Sequence, residues 1–306
     1  RDLSYAKVRF DDRSIATLKA HLGKIDDSLT RALCWSAAWD MLRDAEISAT
    51  DFIDIALAGL PGEDDIATVT IIANQLITAV ELYSAPSKRD SSRLKVGNAY
   101  EQMLRAAAAG SDHQLQFARN FTSFASSAEH NDLIKELLDA KLPGLKVDAD
   151  LRWTFVIALA ERGLMDKAAL SAELLKDNTL TGSLSHATAL AALPTEQAKS
   201  EVWKSITTEE ISTSQREAKI AGFMRALHRP LLASYVDPYF DLLLETWGKK
   251  SYEVASKFVM GMYPTFITTQ ETLDKTITWL NTTGKDGQAG LVRLERNSSI
   301  VILVDK

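Results

Sequence analysis

The first residues do not share the pattern of the rest. In L-S-Y-A-K-V-R-F (3–10), Ala6, Val8 and Phe10 alternate with Lys7 and Arg9. A period of two predicts a half-buried strand. One strand cannot pair with itself, so this one is expected to lie against a sheet outside the segment. From Ser14 onward the period changes to three and four residues and stays there. Apolar positions recur on one face of successive segments, interrupted by Pro, Gly or Ser/Thr/Asp cap signals. Leu29, Leu33, Ala37 and Met41 share a face. Ser48 caps a segment that Gly59-Leu60-Pro61-Gly62 ends, and Asp64-Asp65 opens the next with the negative charge a helix start favours.

Further helices are predicted at about 87–109, 112–126, 130–141, 149–162, 166–177, 182–193, 195–205, 214–227, 229–247, 250–261 and 265–282. Pro238 should kink or split the one over 229–247. Residues 287–296 read as helix, and Ile300–Val304 has strong β propensity. Trp-bearing helices followed by short turns recur at 31–52 and 151–170, and more briefly at 194–206, without a fixed period. The fold class expected is all-α: a curved α-solenoid of HEAT/armadillo-like helix pairs behind a short N-terminal extended segment. The extended boundary segment covers 1–13, and 14–306 form a single helical-repeat domain. Arg1 in place of Met suggests a segment cut from a longer chain.

Composition narrows the function classes. The net charge of −6 argues against a general binder of nucleic acid, which needs a basic face. No uninterrupted apolar run approaches a membrane span, and no signal peptide opens the chain. The single cysteine excludes an intrachain disulfide framework and suits a reducing, cytoplasmic setting. The five histidines (His21, His113, His130, His186 and His228) include no H-x-x-x-H pair. No zinc site of two ligands one helical turn apart can therefore form. No G-x-S-x-G, Walker or G-x-G-x-x-G motif occurs. Ser4-Tyr5-Ala6-Lys7 matches S-x-x-K without the partner motifs of that chemistry. Three N-x-[ST] matches, at Asn120, Asn281 and Asn297, lack a secretory context.

Two groups remain. Cys34, between Trp35 and Trp39, lies on a stripe with Ala38 and Met41 and reads as a small packed hydrophobe. In R-A-L-H-R-P-L-L-A-S-Y-V-D-P-Y (225–239), Arg225, His228, Arg229, Tyr235 and Tyr239 cluster at a helix junction. They form a candidate peptide-binding group, because guanidinium groups hold carboxylates in a bidentate way. The competing reading is structural: basic residues finish one helix, and the tyrosines pack.

Y-A-K-V-R-F-D (5–11) resembles the segment that opens the C-terminal region of the aminopeptidase N family of zinc aminopeptidases. The match continues in register through R-A-L-C-W-S-A-A-W-D-M-L (31–42), a second helix ending near Gly59, D-L-R-W (150–153), E-V-W-K-S-I (201–206) and Y-V-D-P-Y-F (235–240). The resemblance implies the helical, endoplasmic-reticulum-aminopeptidase-like C-terminal domain, a bowl capping the active-site cavity. The family's H-E-x-x-H and G-x-M-E-N motifs are absent here. No catalytic or metal residue carries over, and no cofactor is expected in this segment. By resemblance, zinc belongs to the parent enzyme. The partners implied are an upstream catalytic domain of the same chain and peptide substrates, with neither nucleic acid nor membrane. The alternative is a free-standing α-solenoid adaptor that holds a protein or peptide on its concave face.

Overall fold

The computed structural model describes residues 6–282, which are helical and contain no strand. The expectations for residues 3–5, for a helix at 287–296 and for β structure at 300–304 lie outside the described residues. In chain order the helices are α1 (Asp12–His21), α2 (Ser28–Arg43), α3 (Ala49–Gly59), α4 (Ile66–Thr78), α5 (Pro86–Ala106), α6 (Asp112–Phe124), α7 (Ala128–Leu138) and α8 (Ala149–Glu161). They continue as α9 (Lys167–Lys176), α10 (Leu180–Ala191), α11 (Glu196–Thr208), α12 (Thr213–Phe223), α13 (Arg229–Leu232), α14 (Val236–Lys249), α15 (Tyr252–Gly261) and α16 (Gln270–Thr282).

Local sequence sets most of these boundaries. Asp27 caps α2 through the Thr30 amide at 2.8 Å. Ser48 and Asp51 form a reciprocal capping box on α3, each side chain bonding the other's backbone N–H. Asp65 caps α4. Pro238 splits its helix as expected, but the break falls upstream, in a 3₁₀ turn at Ala233–Tyr235. Its ring would collide with the carbonyl four residues back, so α14 begins at Val236 and keeps Pro238 in its first turn.

The expected strand is not formed in residues 6–10, and Val8 is exposed. The alternation has another cause. Lys7 Nζ meets Asp44 at 2.7 Å, while Arg9 pairs with both Asp44 and Glu46. The Phe10 N–H faces Met41 Sδ at 3.2 Å. The segment is tied to the end of α2 by charge, and no ladder holds it.

The chain divides into two compact units. Among the described residues the first comprises 6–133 and 142–146, and the second 134–141 and 147–282. In the first, α1 packs on α3, α4 on α6, and α5 along α6. Its core includes Phe52, Ile55, Val69, Ile72, Leu76, Val96, Tyr100, Phe117, Phe121 and Phe124, all buried. Tyr100 stacks on Phe124 at 5.3 Å. With the π-helical turn Ala79–Tyr83, α4 makes an 18-residue helix long and apolar enough, by length and composition, to cross a membrane. The run is interrupted by polar residues, and Glu81 within it forms a buried pair with Arg93 at 2.8 Å. Val69, Ile72, Leu76 and Val80 sit in the unit's core.

In the second unit α10 crosses both α8 and α12. One cluster gathers Trp153, Val156, Leu170, Ala189 and Leu193. Another gathers Phe223, Tyr239, Leu243, Phe258, Tyr263 and Trp279. Gly222 lets α12 approach α10 closely: a Cβ there would stand 2.1 Å from the Thr188 carbonyl oxygen and 2.7 Å from Ala191 Cβ.

Candidate functional site

The 225–239 residues fall in the second unit, and the structure divides them. Tyr239 is fully buried, donates its hydroxyl to Val259 O at 2.8 Å, and stacks on Phe258 at 5.8 Å. Its phenol faces the core. Tyr235 is half-buried against Trp203 and Phe223, each 5.0 Å away. Arg229 donates from Nε to Phe266 O at 2.9 Å and from Nη1 to Ala226 O at 2.8 Å, and its guanidinium lies over the Phe266 ring. His228 is buried and pairs with Glu161 O at 2.8 Å through Nε2. Because a carbonyl can only accept, Nε2 carries the proton. Burial, then the charge of Lys199, lowers the imidazole's pKa. Nδ1 has no hydrogen-bond partner, and neither does the buried Nε of Arg225.

Beside these residues is an apolar dimple lined by Phe223, Met224, Leu232, Tyr235, Met262 and Phe266. Its free volume of about 10 Å³ is that of roughly one water. Tyr235 and the Met224–Arg225 turn therefore remain available at a small apolar surface, whereas Tyr239 and His228 support it from behind.

Sequence reasoning missed Lys199, on α11. It is fully buried, and Nζ donates to Ala191 O (2.7 Å), Phe223 O (3.1 Å) and Gly222 O (3.3 Å). These carbonyls close α10 and α12, where a cation suits the helix ends. The signal was present: Lys199, Val202 and Ile206 share one helical stripe. Burial, then Arg225, pushes the ammonium down to about 7, with Glu161 pulling the other way. The ordinary value is 10.5, so between about 7 and 10.5 the folded chain binds fewer protons here than the unfolded chain. The group's contribution to stability thus rises with pH through that window and is flat below it, with a slope of at most about 1.4 kcal/mol per pH unit. Urea midpoints from pH 7 to 9 are expected to carry this rise in the native chain and to lose it in Lys199→Met. An identical profile in the variant contradicts the assignment.

Cys34 is half-buried, and burial raises its thiol pKa, as for an unreactive cysteine. Among the described residues no three His, Cys, Asp or Glu side chains gather as metal ligands.

Comparison with known proteins accounts for an all-helical chain of this kind. Residues 1–296 match the family described as the ERAP1-like C-terminal domain. The chain is 43% identical over 282 residues to a protein named aminopeptidase N from Streptomyces lividans, a match covering 91% of this chain and 33% of that protein. The chain thus spans about a third of that relative's length. The chain belongs to the aminopeptidase N family, as its ERAP1-like C-terminal domain.

Proposed function

We propose that this domain is the non-catalytic cap of a zinc aminopeptidase. It closes the active-site cavity and helps select peptide substrates, while an upstream catalytic domain of the same cytoplasmic chain holds the zinc and removes N-terminal residues. The observation that carries this reading is the family match over nearly the whole chain to a C-terminal domain. The sequence supports the division of labour, since it lacks the family's zinc-binding and amine-binding motifs. Selection would fall to the surface around Arg225 and Tyr235, since Tyr235 and Met224, the chain neighbour of Arg225, line the dimple. The dimple is too small to take a side chain, so an apolar group of the peptide would lie against its rim while the guanidinium attracts a peptide carboxylate.

The division of labour predicts that the isolated chain hydrolyses no aminoacyl dye and holds no stoichiometric zinc, whereas the full-length parent does both. Turnover by the isolated chain would overturn the proposal.

A further inference from the structure

The first unit holds a cleft of about 360 Å³, far roomier than the dimple of the second. It lies between the corner joining α2 to α3 and the start of α5. A cleft of this volume is at the lower end of small-molecule sites. Its walls combine an apolar floor, Leu42 and Ile47, with the half-buried ring of Tyr83 and the hydroxyl-bearing Ser84. The π-helical turn Ala79–Tyr83 delivers Tyr83 and Ser84 to this wall. On the opposite side Ala45 takes a left-handed backbone, φ 58°, to turn the chain out of α2.

Two exposed charged side chains line the cleft. Buried opposite charges in this unit pair directly, as in Arg31–Glu63 and Arg93–Glu81. The cleft is lined by one carboxylate, Glu46, and one ammonium, Lys88, and these do not pair with each other. Arg9 engages Glu46 through Oε2. Lys88, exposed on the first turn of α5, has no ion-pair partner among the described residues. One cavity thus offers an acid and a base, held apart, beside an apolar floor. That arrangement complements a molecule with an ammonium, a carboxylate and an apolar side chain on adjoining atoms.

We propose that this cleft binds a free α-amino acid, with Lys88 receiving the carboxylate, Glu46 the ammonium, and Leu42, Ile47 and Tyr83 an apolar side chain. The site lies wholly within the first unit. It is independent of the dimple near Arg225, and the binding stands whether or not the parent chain is a peptidase.

Photo-leucine, a diazirine amino acid, tests the site in the full-length chain. After irradiation and peptide mapping, label is expected in segments 42–50 and 83–88. Excess leucine should displace it. Leucinol, which lacks the carboxylate, and 4-methylpentanoate, which lacks the amine, should each need at least tenfold higher concentration. Lys88→Glu should lower labelling of both segments at least tenfold. An acidic residue in the first turn favours the helix, so this loss would not come from unfolding. Labelling confined to other segments, labelling unchanged by Lys88→Glu, or equal displacement by leucinol would each overturn the proposal. Failure of the parent to hydrolyse peptides would leave the labelling result unaffected.

Discussion

Glu63→Gln is expected to destabilise the first unit by about 3–5 kcal/mol, the usual cost of breaking a buried ion pair from one side. Arg31 and Glu63 are both buried. The guanidinium grips the carboxylate in a fork, Nε to Oε2 at 3.0 Å and Nη2 to Oε1 at 2.9 Å. Arg31 also donates from Nη1 to Ile25 O at 2.9 Å and Asp26 O at 3.1 Å, and pairs with Asp64. Glu63 further accepts from Trp35 Nε1 at 3.3 Å and the Asp65 amide at 3.2 Å. The network joins the turn before α2 to the corner between α3 and α4. Its members are few and mutually satisfied, so removing one charge strands several donors.

A paired replacement separates the cost of an orphaned charge from the worth of the pair. Arg31→Met with Glu63→Leu is expected to cost clearly less than either single change, because no buried charge is left alone. Urea denaturation of the three variants measures both quantities, and a double variant as unstable as the sum of the singles would contradict this account. The pair also sets an acid limit. Burial alone would raise the Glu63 carboxyl, but the hydrogen bonds from Arg31, the Asp65 amide and Trp35 outweigh it and hold the group below its ordinary 4.5. A carboxyl depressed on folding adds stability above that value, and the addition is lost as pH falls through the lower, folded-state value.

The same network shows what a sequence conveys and what it withholds. Caps act within three residues, so Asp27, Ser48 and Asp65 could be read directly. The face of α2 could not. Periodicity put Leu29, Leu33, Ala37 and Met41 on one face; Ala37 and Met41 are buried, yet Leu29 and Leu33 are 60% and 38% exposed, while Arg31 and Trp35 are buried. An arginine goes inward only when a carboxylate waits for it, and Glu63 lies 32 residues away. Nothing local to α2 announces that partner.

Lys199 followed the same logic, since its partners are carbonyls at the ends of two other helices. At the 225–239 group, residue types left two readings open, a peptide-binding cluster or packed tyrosines beside a basic helix end. Tyr239 and His228 went inward because each finds a carbonyl acceptor, at Val259 and Glu161. Family membership was legible for a different reason. It rests on the order and spacing of short motifs, which survive in the chain whatever face each residue takes.

The central claim is that this domain selects peptides for an active site it does not contain. Arg225→Gln in the full-length enzyme tests it most directly, because Arg225 is half-buried and directly follows Met224, which lines the dimple. A hydrogen bond to a charged group is worth about 1.5–3 kcal/mol, so losing one lowers kcat/KM about tenfold or more. The account predicts a fall of that size for peptides of about eight residues with a free C-terminal carboxylate, and less than about twofold for aminoacyl dyes, which cannot reach the site. Amidating the peptide's C-terminus should abolish the difference between native and variant enzyme. Equal losses on peptides and dyes, or a loss that persists with amidated peptides, would contradict the claim.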